Sequence, residues 1–147
     1  MKNFLLLAPL LLIAGCTGSE PLHQFAFNET LDPQTTTLIL EKGDKLSFWN
    51  SLNVAYKPPA SLDFNITIKT ENEPLVEIAC DALSPTLTFM SSTMEREDYV
   101  KKSWKTARMK CEFGPIEEKK KVTISTAPKI SGMGKLQVNQ LILELKN

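Results

Sequence analysis

The sequence predicts an all-β fold, in the form of a two-sheet antiparallel sandwich. From Phe25 onward, short runs of apolar and β-branched residues alternate with turn residues at fairly even spacing. The clearest run, 62–69, alternates strictly between apolar and polar residues, as a strand with one buried face does. About nine or ten such runs favour a jelly roll over the seven-stranded immunoglobulin sandwich. An immunoglobulin-like or transthyretin-like sandwich is the alternative.

The other runs define the predicted strands. Runs 35–41 and 46–49 flank the turn signal Lys42-Gly43-Asp44-Lys45, which predicts a hairpin. In the last run, 134–146, the apolar pattern changes phase near Asn139-Gln140, which predicts a β-bulge. Further candidate strands are 75–80, 86–91, 104–113 and 121–126.

One segment departs from the β pattern. Ser92 and Glu95 have the spacing of a helix capping box, and Glu97 precedes Lys101 by four residues. We therefore predict a short helix over 93–102, with an exposed charged loop as the alternative.

The amino-terminal residues are typical of a targeting segment. Lys2 is followed by an apolar run, 4–13, which as a helix would rise only about 15 Å, too little for a bilayer core of roughly 30 Å. Ile13-Ala14-Gly15-Cys16 closes it and resembles the bacterial lipobox. The alternative is an ordinary cleaved signal peptide that ends near a cysteine.

The lipobox resemblance implies a location and a domain organisation. It implies cleavage before Cys16, a diacylglyceryl group on its sulfur and acylation of the new amino terminus. Thr17, and not Asp, follows the cysteine. By the resemblance, this implies a location in the bacterial outer membrane, facing the periplasm or the surface. We expect a signal peptide at 1–15, a lipidated cysteine and polar tether at 16–24, and one sandwich domain at 25–147.

The two remaining cysteines predict a disulfide. In an exported protein, the pair Cys80 and Cys111 is typical of a disulfide bridge. The strand patterns place both side chains on the apolar faces of their strands. Two free buried thiols are the alternative, and a metal site is disfavoured because zinc needs further ligands.

The end of the chain carries a second, weaker resemblance. The turn Gly132-Met133-Gly134 leads into a long apolar strand that ends at Lys146. This stretch is similar to the last strand of galactose-binding-like jelly rolls, and it bears on the fold alone.

The sequence offers little for catalysis. Its one histidine, His23, falls in the predicted tether, where a general base would not be held in place. The acidic clusters 71–73 and 95–98 fit a solvated surface better than a carboxylate pair for glycoside hydrolysis. We expect no enzyme activity, cofactor or metal. The zero formal net charge argues against a nucleic-acid partner.

Aromatic residues are the candidate ligand-binding groups. Strand alternation directs Trp49 and Trp104 away from the core, with Arg108 beside Trp104, and Tyr56 precedes a proline-containing loop. The alternative is that both tryptophans are buried. The sequence thus predicts a lipid-anchored, non-catalytic binding module for a glycan or an envelope protein. Two alternatives are an accessory lipoprotein of a secretion or outer-membrane assembly machine, and a periplasmic inhibitor of a lysozyme-type hydrolase.

Overall fold

The computed structural model describes residues 20–132 and 134–147, and these residues form ten β-strands and no helix. The predicted signal peptide and Cys16 lie outside the described residues. The strands are β1 (His23–Phe27), β2 (Gln34–Leu40), β3 (Leu46–Tyr56), β4 (Ala60–Lys69), β5 (Val76–Asp81), β6 (Leu87–Phe89), β7 (Ser92–Arg96), β8 (Tyr99–Phe113), β9 (Lys120–Gly132) and β10 (Leu136–Lys146).

The strands form two antiparallel sheets that pack into a sandwich, which confirms the predicted fold class. The larger sheet has the order β1-β10-β3-β8-β6, with β7 also paired to β8, and the smaller has the order β2-β9-β4-β5. When β6 and β7 are set aside, each sheet has four strands in the order of a jelly roll.

The core lies between the sheets and follows from strand alternation. In β4, the side chains of Leu62, Phe64, Ile66 and Ile68 are buried, while the residues between them face outward. Leu141, Leu143 and Leu145 supply the facing layer from β10. Burial of these apolar side chains is the main favourable term in folding.

The predicted bulge in the last strand is confirmed. The register of β10 against β3 shifts between Val138 and Gln140. Because of this shift, Leu136 and Val138 pack against the same core as the leucines that follow them.

The predicted disulfide is also confirmed. Cys80 of β5 and Cys111 of β8 are bonded, with their Cα atoms 5.6 Å apart. Since β5 and β8 belong to different sheets, the bridge joins the two layers along one side of the sandwich.

The predicted hairpin between 35–41 and 46–49 is wrong. A turn does form, since the main-chain N–H of Asp44 donates to the carbonyl of Glu41 at 3.0 Å and Gly43 adopts a positive φ of 88°. However, β2 pairs with β9 in the smaller sheet, and β3 pairs with β8 and β10 in the larger one. The turn therefore carries the chain from one sheet to the other.

The predicted helix over 93–102 is wrong as well. This stretch forms the β7–β8 hairpin, in which Met94 lies opposite Lys101 and Arg96 lies opposite Tyr99. Val100 is buried and pairs with Tyr56 of β3. Pairing of β8 with a long central strand outweighs the weak helical preference of a few charged residues.

The chain enters the sandwich slightly earlier than predicted. His23 and Gln24, assigned to the tether, are the first residues of β1 and lie opposite Leu145 and Glu144 of β10. In the part of the chain that the structure describes, no helix has the length and hydropathy needed to cross a membrane.

Candidate interaction surface

Two of the predicted ligand-binding aromatics belong to the core. Trp104 is 6% exposed, and its indole N–H donates to the Oδ1 atom of the buried Asn50. Tyr56 is the buried last residue of β3. The predicted outward orientation of Trp104 and the loop position of Tyr56 are therefore wrong.

A bulge in β8 explains the orientation of Trp104. Asn50 of β3 lies opposite Ala107, and Leu52 lies opposite Trp104, so β8 advances three residues where β3 advances two. The extra residue inverts the alternation, and Trp104 and Ala107 both face the core.

Trp49 does lie on the outer face of the larger sheet, where it is half-buried. Its indole N–H donates to the Oγ atom of Ser47 at 3.0 Å, and the Nζ atom of Lys146 lies 4.5 Å from the ring centroid. Arg108 lies opposite Trp49 in β8 and is exposed. Because the ammonium group of Lys146 occupies one face of the ring, Trp49 does not present that face as a stacking platform.

An apolar patch lies beside these residues, on the outer face of the larger sheet near its β6–β7 edge. Leu87 and Phe89 lie opposite Arg108 and Thr106, while Met94 lies opposite Lys101. We call the following four residues the β6–β8 patch. They are Leu87 (48% exposed), Phe89 (48%), Met94 (50%) and Tyr99 (38%).

The patch borders a row of basic side chains on β8. Lys101, Arg108 and Lys110 alternate with inward-facing residues, so all three lie on the outer face, and all are exposed. Within residues 20–132 and 134–147, none of the three forms a salt bridge. Two acids on this face are engaged elsewhere: Glu112 pairs with Lys45 and Glu144 with Lys146.

A shallow hollow continues the patch at the turn end of the β7–β8 hairpin. It has a volume of about 630 Å³, and Tyr99 and Asp98 form one wall. Pro58, Pro59 and Lys57 form another part of its lining. Tyr99 thus belongs both to the β6–β8 patch and to this hollow.

The sequence reasoning missed the β6–β8 patch for two reasons. Leu87 and Phe89 alternate with Thr88, so a strand pattern assigns them to the core, yet they share the outer face with Arg108. Met94 and Tyr99 were missed because the stretch 93–102 was predicted to be a helix. A signal was present, because the run 101–110 carries several bases and a strand must turn about half of them outward.

Two polar pairs lie away from the patch. Lys120 Nζ lies 2.6 Å from Glu73 Oε1, and this hydrogen bond lowers the pKa of Glu73 and raises that of Lys120. The Nδ1 atom of His23 is 3.4 Å from Thr36 Oγ1. Among the described residues, no three His, Cys, Asp or Glu side chains are grouped closely enough to hold a metal ion.

Comparison with known proteins adds no relationship. No family model, curated protein or solved structure matches the chain. The proposals for its function therefore rest on its own residues and geometry.

Proposed function

We propose that this protein is a lipid-anchored, non-catalytic binding module that holds an acidic protein partner on the β6–β8 patch. The carrying observation is the combination of four exposed apolar side chains with a row of basic side chains that have no acidic partner in the described structure. The chain as a whole has no formal net charge, so the basic row is a local feature.

This combination suits a protein partner. Contiguous exposed apolar side chains bordered by polar groups are typical of interaction sites, and aromatic residues, Met and Arg are enriched in interfaces. Phe89, Tyr99, Met94 and Arg108 supply these residue types on one face. Lys101 and Lys110 would steer an acidic surface towards the patch and fix its orientation.

The geometry favours a protein over a glycan. A sugar platform needs an exposed aromatic ring with a free face, and Trp49 is half-buried with Lys146 over one face of its ring. Trp104 and Tyr56 are buried. Phe89 and Tyr99 are exposed; Phe89 lies opposite Thr106 and Tyr99 opposite Arg96, with Leu87 and Met94 as the other apolar members of the patch.

The anchor is supported by the sequence. Cys16 closes the lipobox-like segment, and β1 begins seven residues later at His23. Seven extended residues span at most about 25 Å, so the domain would stay close to the membrane surface. Changing Cys16→Ser should abolish lipid labelling and shift the protein out of the membrane fraction. Membrane retention without lipid labelling would contradict the anchor.

The patch can be tested with two pairs of substitutions on the full chain. The protein is extracted from membranes in detergent, and proteins that co-purify in fixed ratio are identified. Leu87→Ser with Phe89→Ser should lose such a partner, and so should Lys101→Glu with Arg108→Glu. Lys69→Glu with Lys121→Glu, on exposed positions of the smaller sheet, is the matched charge control and should retain it.

The thermal midpoint separates loss of binding from loss of folding. Exposed substitutions usually change stability by no more than about 0.5 kcal/mol, so all variants should unfold near the wild-type midpoint. If the partner still co-purifies with both patch variants, the proposal is refuted. Patch-dependent binding to anionic lipid vesicles, with no protein partner, would identify a membrane-binding face instead.

A further inference from the structure

The sandwich has four strand edges, and three of them are protected against pairing with another strand. β5 carries the exposed acids Glu77 and Asp81. The β6–β7 edge is interrupted at Met90, which has a positive φ of 53°. At the β1 edge, the side-chain amide of Gln34 donates to the carbonyl of Ala26 at 2.6 Å. Charges, interruptions and capped carbonyls are all means of preventing strand addition.

The fourth edge, β2, has none of these protections. Its seven residues, Gln34–Leu40, include no charged residue and no proline. Its register against β9 runs from Gln34 opposite Thr126 to Leu40 opposite Lys120 without a shift. Among the described strands, β9 is the only one that pairs with β2, so one side of its main chain is unpaired. A straight, uncharged edge of this kind is a template for a further strand.

We propose that β2 pairs antiparallel with the β2 strand of a second copy, so that the smaller sheet continues across a two-fold axis. Pairing of all seven residues requires the axis to pass through Thr37, the middle residue of the strand. Thr35 then lies opposite Ile39 of the second copy, and no like charges meet. The surface pairs with itself, as a two-fold interface requires.

The side chains of β2 favour a second copy as the source of the pairing strand. Thr35, Thr37 and Ile39 lie on the outer face, and Ile39 is 65% exposed. Pairing would bring Ile39 beside the methyl group of the second copy's Thr35, which removes apolar surface from water. Beyond the strand ends, the same register brings the exposed Lys42 towards the exposed Asp32 of the second copy, one opposite-charge pair at each end.

Cysteine cross-linking of the full chain in cells tests the pairing. Directly opposed residues have Cα atoms about 4.5–5.5 Å apart, which suits a disulfide, so Thr37→Cys should give a dimer on a non-reducing gel. Thr123→Cys is the matched control, because Thr123 lies beside Thr37 on the same face but in β9. Its two copies would be three strand spacings apart, about 14 Å, and should not cross-link.

Charge substitutions at the same position test the register. Thr37→Lys and Thr37→Glu each place like charges opposite one another, and each should abolish association of two differently tagged copies. Expressing the Lys and Glu variants together should restore the association, because opposite charges then face each other. Association caused by shared detergent micelles or by general surface adhesion would not depend on the signs of these charges.

Three results would overturn the proposal. These are a wild-type chain that stays monomeric in membranes, cross-linking of Thr123→Cys as strong as that of Thr37→Cys, or cross-linking of Thr37→Cys only to a different protein. The β2 edge belongs to the smaller sheet and the β6–β8 patch to the larger one. Failure of the pairing proposal would therefore leave the proposed binding function standing, and failure of the binding function would leave the pairing proposal standing.

Discussion

The indole N–H of Trp104 donates to the Oδ1 atom of Asn50 in the interior of the sandwich, at a donor–acceptor distance of 2.5 Å. The Nδ2 atom of Asn50 donates in turn to the carbonyl of Ala82, 3.3 Å away. A polar pair thus links two central strands of the larger sheet to the segment that follows β5. Hydrogen bonding of this kind offsets the cost of burying polar groups in a core.

Asn50→Leu should destabilise the fold by about 1–3 kcal/mol, because it leaves the buried indole N–H and the Ala82 carbonyl without their partner. Urea unfolding monitored by circular dichroism measures the change. Trp104→Phe is the companion substitution, and the double variant should lose less than the sum of the two single losses. Additive losses would show that the hydrogen bond contributes nothing of its own.

The same pair shows what sequence could and could not predict. The alternation in β4 and the phase change at 139–140 are local patterns, and both were predicted from the residues alone. The bulge that turns Trp104 inward depends on the register of β8 against β3, which are far apart in sequence. Strand alternation without that register assigns the side chain to the wrong face.

The two wrong elements and the missed patch have a related cause. The hairpin prediction failed because β2 finds its partner in β9, about 85 residues away along the chain, rather than in the adjacent run. The helix prediction failed because β8 is held by β3. The β6–β8 patch became visible only when the strand partners of Leu87 and Met94 were known.

Removal of the disulfide should cost about 3–4 kcal/mol, since the bridge closes a loop with a sequence separation of 31. The test is urea unfolding of the wild-type protein with and without a reducing agent. The double variant Cys80→Ala with Cys111→Ala is the second part of the test. Its free energy of unfolding should be close to that of the reduced wild-type protein and should not change when reductant is added. A reductant effect of similar size in the double variant would assign the loss to another cause.

The pKa of Asp63 is raised above its ordinary value of 3.8, first by burial and then by the adjacent carboxylate of Asp81. Folding therefore favours the protonated form, so the charged form reduces stability at neutral pH. This reduction is lost as the pH falls through the raised pKa towards 3.8. Asp63→Asn should raise the urea midpoint at pH 7, and its advantage over wild type should shrink as the pH falls towards about 4, the unfolded value, and stay small below it.

Asp98→Asn is the control for this pH experiment, because Asp98 lies in the turn between β7 and β8. It removes one carboxyl between two strands of the larger sheet, whereas Asp63 lies in the smaller sheet, so it controls for the change in net charge. An advantage of Asp63→Asn that stays constant from pH 7 to pH 3 would contradict titration of this carboxyl as its source.

Gly114 and Gly43 form a matched pair for testing how tightly the loops at one end of the sandwich are packed. Both have a positive φ, 114° at Gly114 and 88° at Gly43. A Cβ atom added at Gly114 would lie 2.7 Å from the carbonyl oxygen of Asp44, whereas a Cβ atom added at Gly43 would have no atom within 4 Å. Gly43→Ala should therefore cost only the backbone strain, about 1–2 kcal/mol.

Gly114→Ala should cost more than Gly43→Ala, because the loop after β8 must also move away from Asp44. That movement would strain the hydrogen bond from the Ile116 N–H to the Asp44 carbonyl, which is 2.9 Å long. Urea midpoints of the two variants give the comparison, and hydrogen exchange at Ile116 should accelerate in Gly114→Ala alone. Equal midpoints would show that the two loops are not in the close contact that the structure describes.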